Sequence, residues 1–151
     1  MEQKPPVNSI LTAALYMSQS TGVHKINSIE AKPGNQRLLM LTRDSIRWYH
    51  DVNSAMADNY LGSAKLSFIY ETMKVPATQG KQNQAPLYAF LLEVSMHKTQ
   101  KSKYAGRQTI ILASESVLLR DQWLAAIDYL KLRANYDAYR KNNQLVHFLM
   151  G

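Results

Sequence analysis

Lys98, Lys101 and Lys103 share one short polar stretch, residues 97–107, with Arg107 closing it and few acids nearby. Lys25, Lys32 and Arg37 lie in or beside the stretch that leads into a strand-like hairpin, and Arg47 sits on the second arm of that hairpin. These cations are the side chains whose grouping suggests chemistry, and the chemistry is the holding of an anion. A phosphate monoester offers charged oxygens that Arg grips through two parallel N–H donors and that Lys holds as a point charge. Each lysine alone reads equally as a solvated surface charge. Other chemistries find no footing: the chain has no G-x-S-x-G, no Gly-rich loop leading to Lys-Ser/Thr and no H-E-x-x-H. Cysteine is absent, and the four histidines (His24, His50, His97, His147) lack ligand-like spacing. Carboxylates are scattered, and Gly62 and Gly80 stand isolated. A binding module is expected rather than an enzyme, with no metal and no cofactor.

The chain has 151 residues, 18 Lys and Arg against 11 Asp and Glu, and a net charge of +7. That length suits one domain with a real core, and a hydrophobic fraction of 46% is ordinary for a globular chain. No apolar stretch approaches the length of a membrane span, and the N-terminus lacks the basic start and apolar core of a signal peptide. The basic balance favours an anionic partner, either nucleic acid or a membrane surface.

The elements that must position the cations centre on residues 37–51, RLLMLTRDSIRWYHD. Residues 38–41 are an apolar run, residues 42–45 are turn-like, and residues 46–49 are β-branched and aromatic, so two short strands joined by a tight turn are expected. Further strands are expected at residues 23–30, 62–67, 68–75, 87–96 and 108–113. The loops between them are 31–36, 51–61, 76–86 and 97–107, and the second of these carries Met56 and Tyr60. Near the N-terminus, Ile10, Leu11, Ala14 and Leu15 follow a helix-like spacing behind Asn8 and Ser9, so a short helix is expected there, with a strand over residues 10–17 as the competing reading. From Ser116 the period changes: Leu119, Trp123, Ala126, Ile127, Leu130 and Ala134 fall at three- and four-residue steps, the mark of an amphipathic helix with Ser116 as its N-cap. Seven strands and one terminal helix give a mainly β barrel or sandwich with a plug, Trp123 covering its apolar end. Residues 1–22 are assigned to a flexible lead and the short helix, 23–135 to the domain, and 136–151 to a helix extension or tail.

The hairpin pattern of Arg, four apolar residues, Thr, a turn, an apolar residue and paired aromatics resembles the second and third strands of pleckstrin homology (PH) domains. Trp123 in SESVLLRDQWLAAIDYL resembles the Trp of that family's C-terminal helix. The match spans about residues 23–132. It implies a seven-stranded bent barrel capped by a C-terminal helix, to which the short N-terminal helix is an addition. It also implies that residues 31–36, 51–61 and 97–106 gather at the open end. Members that bind phosphoinositides use a Lys late in strand one and an Arg early in strand two, and Lys25 and Arg37 resemble those positions. The family pattern has a second basic residue two positions before that Arg. Asn35 stands there, with Lys32 the nearest substitute. Fewer fixed cations suit a smaller head group such as phosphatidic acid. The chain also resembles, more distantly, the apicomplexan acylated PH proteins, which read phosphatidic acid during secretory-organelle exocytosis. Glu2 follows Met1, however, so no Gly stands there to be myristoylated.

The function expected is a peripheral membrane module, on the cytosolic face of a membrane, that binds an acidic phospholipid (phosphatidic acid or a phosphoinositide). Lys25, Lys32, Arg37, Arg47, Lys98, Lys101 and Lys103 hold the lipid, with Met56 and Tyr60 entering the interface. The alternative is a protein-interaction domain, engaging a partner through the N-terminal helix or the tail around Phe148 and Met150. No nucleic-acid partner is expected, because the aromatics are spread along strands and no RNA-recognition signature is present.

Overall fold

Leu11, Ala13, Leu15 and Met17 alternate with Thr12, Ala14, Tyr16 and Ser18, and this period of two forms the first strand, β1 (Leu11–Thr21). The short helix expected over residues 10–17 is therefore a strand. Leu15 and Met17 are buried, with Leu11 and Ala13 packed beside them on the same face. The computed structural model describes residues 8–21, 29–78, 85–96 and 106–150. The strand expected at residues 23–30 falls mostly outside these. Ile29 and Glu30 are not strand and lead into a 3-10 turn at Pro33–Asn35.

The central hairpin is as expected, with β2 (Gln36–Leu41) and β3 (Ser45–Tyr49) paired antiparallel. Its turn is built on Thr42, whose hydroxyl oxygen accepts from the backbone N–H groups of Ser45 (3.1 Å) and Asp44 (3.3 Å). The loop after it contains one turn of helix, α1 (Val52–Met56), that the sequence reading leaves as loop. Asp51 caps it, accepting from the Ser54 N–H at 2.8 Å, and those hydrogen bonds hold the Asp51 carboxyl below its ordinary pKa. Ala55 of α1 covers Met40 and Tyr49 on the outer face of the hairpin. There follow β4 (Gly62–Lys65), a 3-10 turn at Leu66–Phe68, β5 (Ile69–Thr78), β6 (Leu87–Met96) and β7 (Gly106–Ser114). The strand expected over residues 62–67 thus yields to the 3-10 turn after Lys65, while residues 87–96 form the strand expected there.

One antiparallel sheet runs in the order β4-β3-β2-β1-β7-β6-β5. β1 pairs with β2 through Leu11–Tyr16 and with β7 through Tyr16–Thr21, so Tyr16 is where the sheet turns from one half to the other. The main core lies inside the bend, from Leu15, Leu39, Ile46, Phe90 and Leu112. A second apolar cluster, Val75, Leu91, Ile111 and Ala113, lies on the opposite face of β5, β6 and β7, where Ile29 covers it.

The last element, α2 (Val117–Met150), plugs one end of the bend. Ser116 caps it as expected, accepting from the Leu119 N–H at 3.2 Å. Trp123 is 1% exposed, and Leu124, Ile127 and Leu130 join it in the core. Polar bonds fix the helix to the sheet: Arg120 donates to the Ala89 carbonyl (3.2 Å) and the Thr72 hydroxyl to Asp128 (2.6 Å). Of the two readings for the chain after Tyr136, helix extension is observed, since α2 continues to Met150.

Two expectations for stability follow from contacts that leave no slack. Gly62 pairs with Trp48 across β3 and β4, and a Cβ at Gly62 would overlap the Trp48 indole. Gly62→Ala therefore destabilises by about 1–3 kcal/mol, the usual range for overpacking, measured as a lowered urea midpoint, and Gly62→Ala combined with Trp48→Leu recovers part of the loss. Asp121 accepts from Arg120 (2.6 Å) and lies 3.4 Å from Lys74, and the Arg120 hydrogen bond, ahead of the others, holds its carboxyl below its ordinary value of 3.8. A carboxyl depressed in the folded state stabilises the fold above its unfolded pKa and loses that contribution as pH falls through the folded one. Urea midpoints recorded downward from pH 5 are expected to drop more steeply below about 3.8 in the wild type than in Asp121→Asn.

Candidate functional site

Strand parity decides which cations share a face. Along β2, Leu39 and Leu41 point into the bend, and Arg37 shares their side at the strand's open end. Along β3, Ile46 and Trp48 point in, which sends Arg47 out. The structure therefore places Arg37 and Arg47 on opposite faces, and they do not form one site.

Arg37 lines a cleft of about 300 Å³ with Met17, Gln19, Trp48 and Leu61. Its Nη1 donates to the backbone carbonyls of Gly34 (2.9 Å) and Gln36 (2.8 Å). Among the described residues it has no carboxylate partner. The carbonyls orient the guanidinium without neutralising its charge, which suits a group that meets an anion from outside. Met17, Trp48 and Leu61 give the cleft its apolar members, and Gln19 adds a further hydrogen-bonding group. Leu61, 58% exposed, is a member that the sequence reading does not single out. The available signal is a lone apolar residue at the end of a polar loop, immediately before Gly62.

Lys32 lies elsewhere. It pairs with Glu30 at 2.7 Å, both side chains exposed, and this hydrogen bond is the first cause of the rise in the Lys32 pKa. With Ser18, Ile29, Glu30 and Asn35 it lines a second cleft of about 320 Å³. Ser18 sits between Met17 and Gln19 on β1, so the two clefts lie on opposite faces of that strand. Asn35, at the position where the PH pattern has a basic residue, donates its side-chain N–H to the Glu30 carbonyl at 3.1 Å and braces the loop.

Arg47 is built into the outer face. Its Nη1 donates to both carboxylate oxygens of Asp58 (3.0 and 3.2 Å), and the Tyr49 hydroxyl donates to the same group at 2.8 Å. Burial first, then the bond to Asp58, raises the Tyr49 pKa. The Arg47 guanidinium also lies 5.2 Å from the centroid of the Tyr60 ring, which meets Tyr49 edge-on at 6.4 Å. Tyr60 is half exposed, and Met56 is half-buried on α1. Both lie in the loop that joins β3 to β4. Lys25, Lys98, Lys101 and Lys103 lie outside the described residues. The strands that flank them are fixed: Thr21 pairs with Gln108, and Met96 pairs with Gly106. The segments holding these lysines therefore start and finish at the Arg37 end of the sheet. α2 and the Leu66–Phe68 turn lie at the other end, where Leu66 N–H meets the Asp44 carbonyl of the hairpin turn.

The polar triad gives a direct expectation. Asp58 has a positive φ of 53° and is the shared acceptor of Arg47 and Tyr49. Asp58→Ala removes the carboxylate from a part-buried guanidinium and leaves the Tyr49 hydroxyl only its weak bond to the Met40 sulfur (4.0 Å), and is expected to lose about 1–3 kcal/mol, read from chemical denaturation. Asp58→Asn retains an acceptor and loses less.

No family model and no curated protein matches this chain. Among solved structures it is similar to the Slm1 PH domain, with a TM-score of 0.53 and 12% sequence identity over 83% of this chain and 99% of that one. The work on that structure reports ligand binding in the noncanonical site of the Slm1 domain. The likeness shows the fold: a mainly β, PH-like open sheet of seven strands with a C-terminal helix. Among the described residues, no helix is long and apolar enough to cross a membrane.

Proposed function

We propose that this PH-like domain is a peripheral membrane module that takes an acidic phospholipid head group at the open end of its sheet. The observation that carries the reading is Arg37, held on the cleft wall by two backbone carbonyls and left without a carboxylate among the described residues. Arg37 grips the phosphate through its remaining N–H donors. Lys25, Lys98, Lys101 and Lys103, on the segments that leave the sheet at the same end, supply charge toward the anionic surface. Val52, Tyr60 and Leu61 are exposed on or beside the loop between β3 and β4 and serve as the apolar and amphipathic contacts, with Met56 behind them. Arg47, bonded to Asp58, shapes this loop and leaves the phosphate to Arg37.

One fixed Arg with lysines on the neighbouring segments of the sequence suits a single phosphomonoester better than a multiply phosphorylated inositol, so phosphatidic acid is the favoured head group and a phosphoinositide the second. Such a module belongs on the cytosolic face of a membrane, in trafficking or secretion. Because the Slm1 domain takes ligand in a noncanonical site, the cleft around Ser18, Lys32 and Asn35 is a second place for the head group. The Lys32–Glu30 pair makes it the weaker one.

The test is co-sedimentation with vesicles of phosphatidylcholine alone or doped with phosphatidic acid, phosphatidylserine or a phosphoinositide, at low and physiological salt. Selective binding to one acidic lipid is expected, falling with salt as screening predicts. Lys25→Ala with Arg37→Ala removes two cations worth about 1 kcal/mol each near an anionic leaflet, a loss of roughly thirtyfold. Lys32→Ala has a smaller effect. Equal binding to every acidic vesicle reduces the site to a general charged face, and no binding at physiological salt rules the reading out.

A further inference from the structure

α2 is longer than the sheet it plugs. At 34 residues it spans about 51 Å, yet among the side chains described, to residue 143, the last buried one is Leu130, and beyond the half-buried Ala134 every side chain from 135 to 143 is exposed. Opposite the Trp123 face runs a second apolar stripe: Tyr129 (60% exposed), Leu132 (70%), Tyr136 (58%) and Tyr139 (62%). Their spacing of three, four and three residues is the seam of a helix that packs on another helix. At about 100° per residue the four lie within roughly 80° of the helix circumference. The sheet covers none of them, so the core does not explain the pattern.

The stripe is bordered on one side by Arg133 and Arg140, and Tyr129, Leu132, Tyr136 and Asp137 line with them a groove of about 530 Å³. Neither arginine has a carboxylate partner among the described residues. Between residues 129 and 143 the chain has Lys131, Arg133, Arg140 and Lys141 against one acid, Asp137. We infer that this face is a docking surface for an amphipathic helix of another protein, with apolar residues at heptad spacing and a flank of Glu or Asp facing Arg133 and Arg140. Tyr and Arg are the residue types that carry most of the energy at such contacts, and fully desolvated Arg–carboxylate pairs fix their register.

The charge pattern argues against a second copy of this chain. Antiparallel pairing would set Arg133 and Arg140 against their own counterparts. Parallel pairing would set them against Asp128 and Asn135, and Asp128 is already bonded to Thr72. A membrane is one outcome of the test below, since Ala134, within the span of the stripe, lines a cleft with Arg47 and Tyr60 of the β3–β4 side. The inference does not rest on the lipid reading, and the two surfaces are free to be used at once.

The probe is a synthetic 21-residue helical peptide with Leu at its heptad a and d positions and Glu at e and g, labelled for fluorescence anisotropy, beside the same peptide with Lys at e and g. The full chain is expected to bind the Glu peptide at least tenfold more tightly than the Lys peptide. Leu132→Ser with Tyr136→Ser, both exposed and so expected to leave the melting temperature unchanged, abolishes binding. Arg133→Glu with Arg140→Glu reverses the preference. No binding of the Glu peptide, or binding that these variants leave unchanged, overturns the inference. So does a concentration-dependent dimer in sedimentation that Leu132→Ser dissolves, which would assign the stripe to a second copy. A loss of acidic-vesicle binding in the stripe variants would assign it to the membrane and overturn the inference equally.

Discussion

Everything in this fold depends on β1 serving two neighbours. Its first half is hydrogen-bonded to β2 and its second half to β7, with Tyr16 in both ladders. A strand that changes partner midway forces the sheet to bend, and a bent sheet of seven strands encloses a core with two ends. One end must be covered by something apolar, and Trp123 on α2 covers it. The other is the end where Arg37 and its cleft lie. The difference between the plugged end and the open end is thus set before any particular loop sequence matters.

The same constraint explains what was legible in the sequence. The hairpin was readable because local chemistry and tertiary demand agree: residues 38–41 and 46–49 have strand propensity, and Thr42 closes their turn with its own hydroxyl. The plug was readable for the same reason, since the apolar positions from Leu119 to Ala134 repeat at helical steps. β1 was not. Its Ala and Leu content favours a helix locally, and pairing on both edges outweighs that preference. Its alternation, with Leu11, Ala13, Leu15 and Met17 on one face, was present in the sequence but competes there with the spacing of Ile10, Leu11, Ala14 and Leu15. α1 was missed because a single capped turn of five residues has no periodicity to detect, although Asp51 followed three residues later by Ser54 is its trace.

The candidate site was legible by composition and less so by geometry. Counting cations near the hairpin groups Arg37 with Arg47, whereas the period of two separates them. Arg47 lies between two core residues, Ile46 and Trp48, so it must face outward, where Asp58, Tyr49 and Tyr60 receive it. Lys32, similarly, is near Arg37 in sequence but belongs to a loop that folds onto the other face of β1 and pairs with Glu30. Charge identifies a class of partner, but the pleat decides which charges can act together.

The two faces left unsatisfied differ in kind, and that difference bears on what the domain does. At the open end, Arg37 is oriented by backbone carbonyls and flanked by a cleft, an arrangement whose size and donors match a small anion. On α2, four large side chains are exposed with two arginines along one border, the kind of contiguous apolar patch that marks an interaction surface. A lysine-rich loop needs no partner to be stable, because water solvates it. An exposed stripe of Tyr and Leu on a helix has a standing hydrophobic penalty of about 25 cal/mol per Å² left in water, and Arg133 and Arg140, without a carboxylate partner among the described residues, favour an acidic surface to relieve it. The two surfaces therefore ask for partners of different chemistry: a small anion at Arg37 and an extended apolar surface with acids along the α2 stripe.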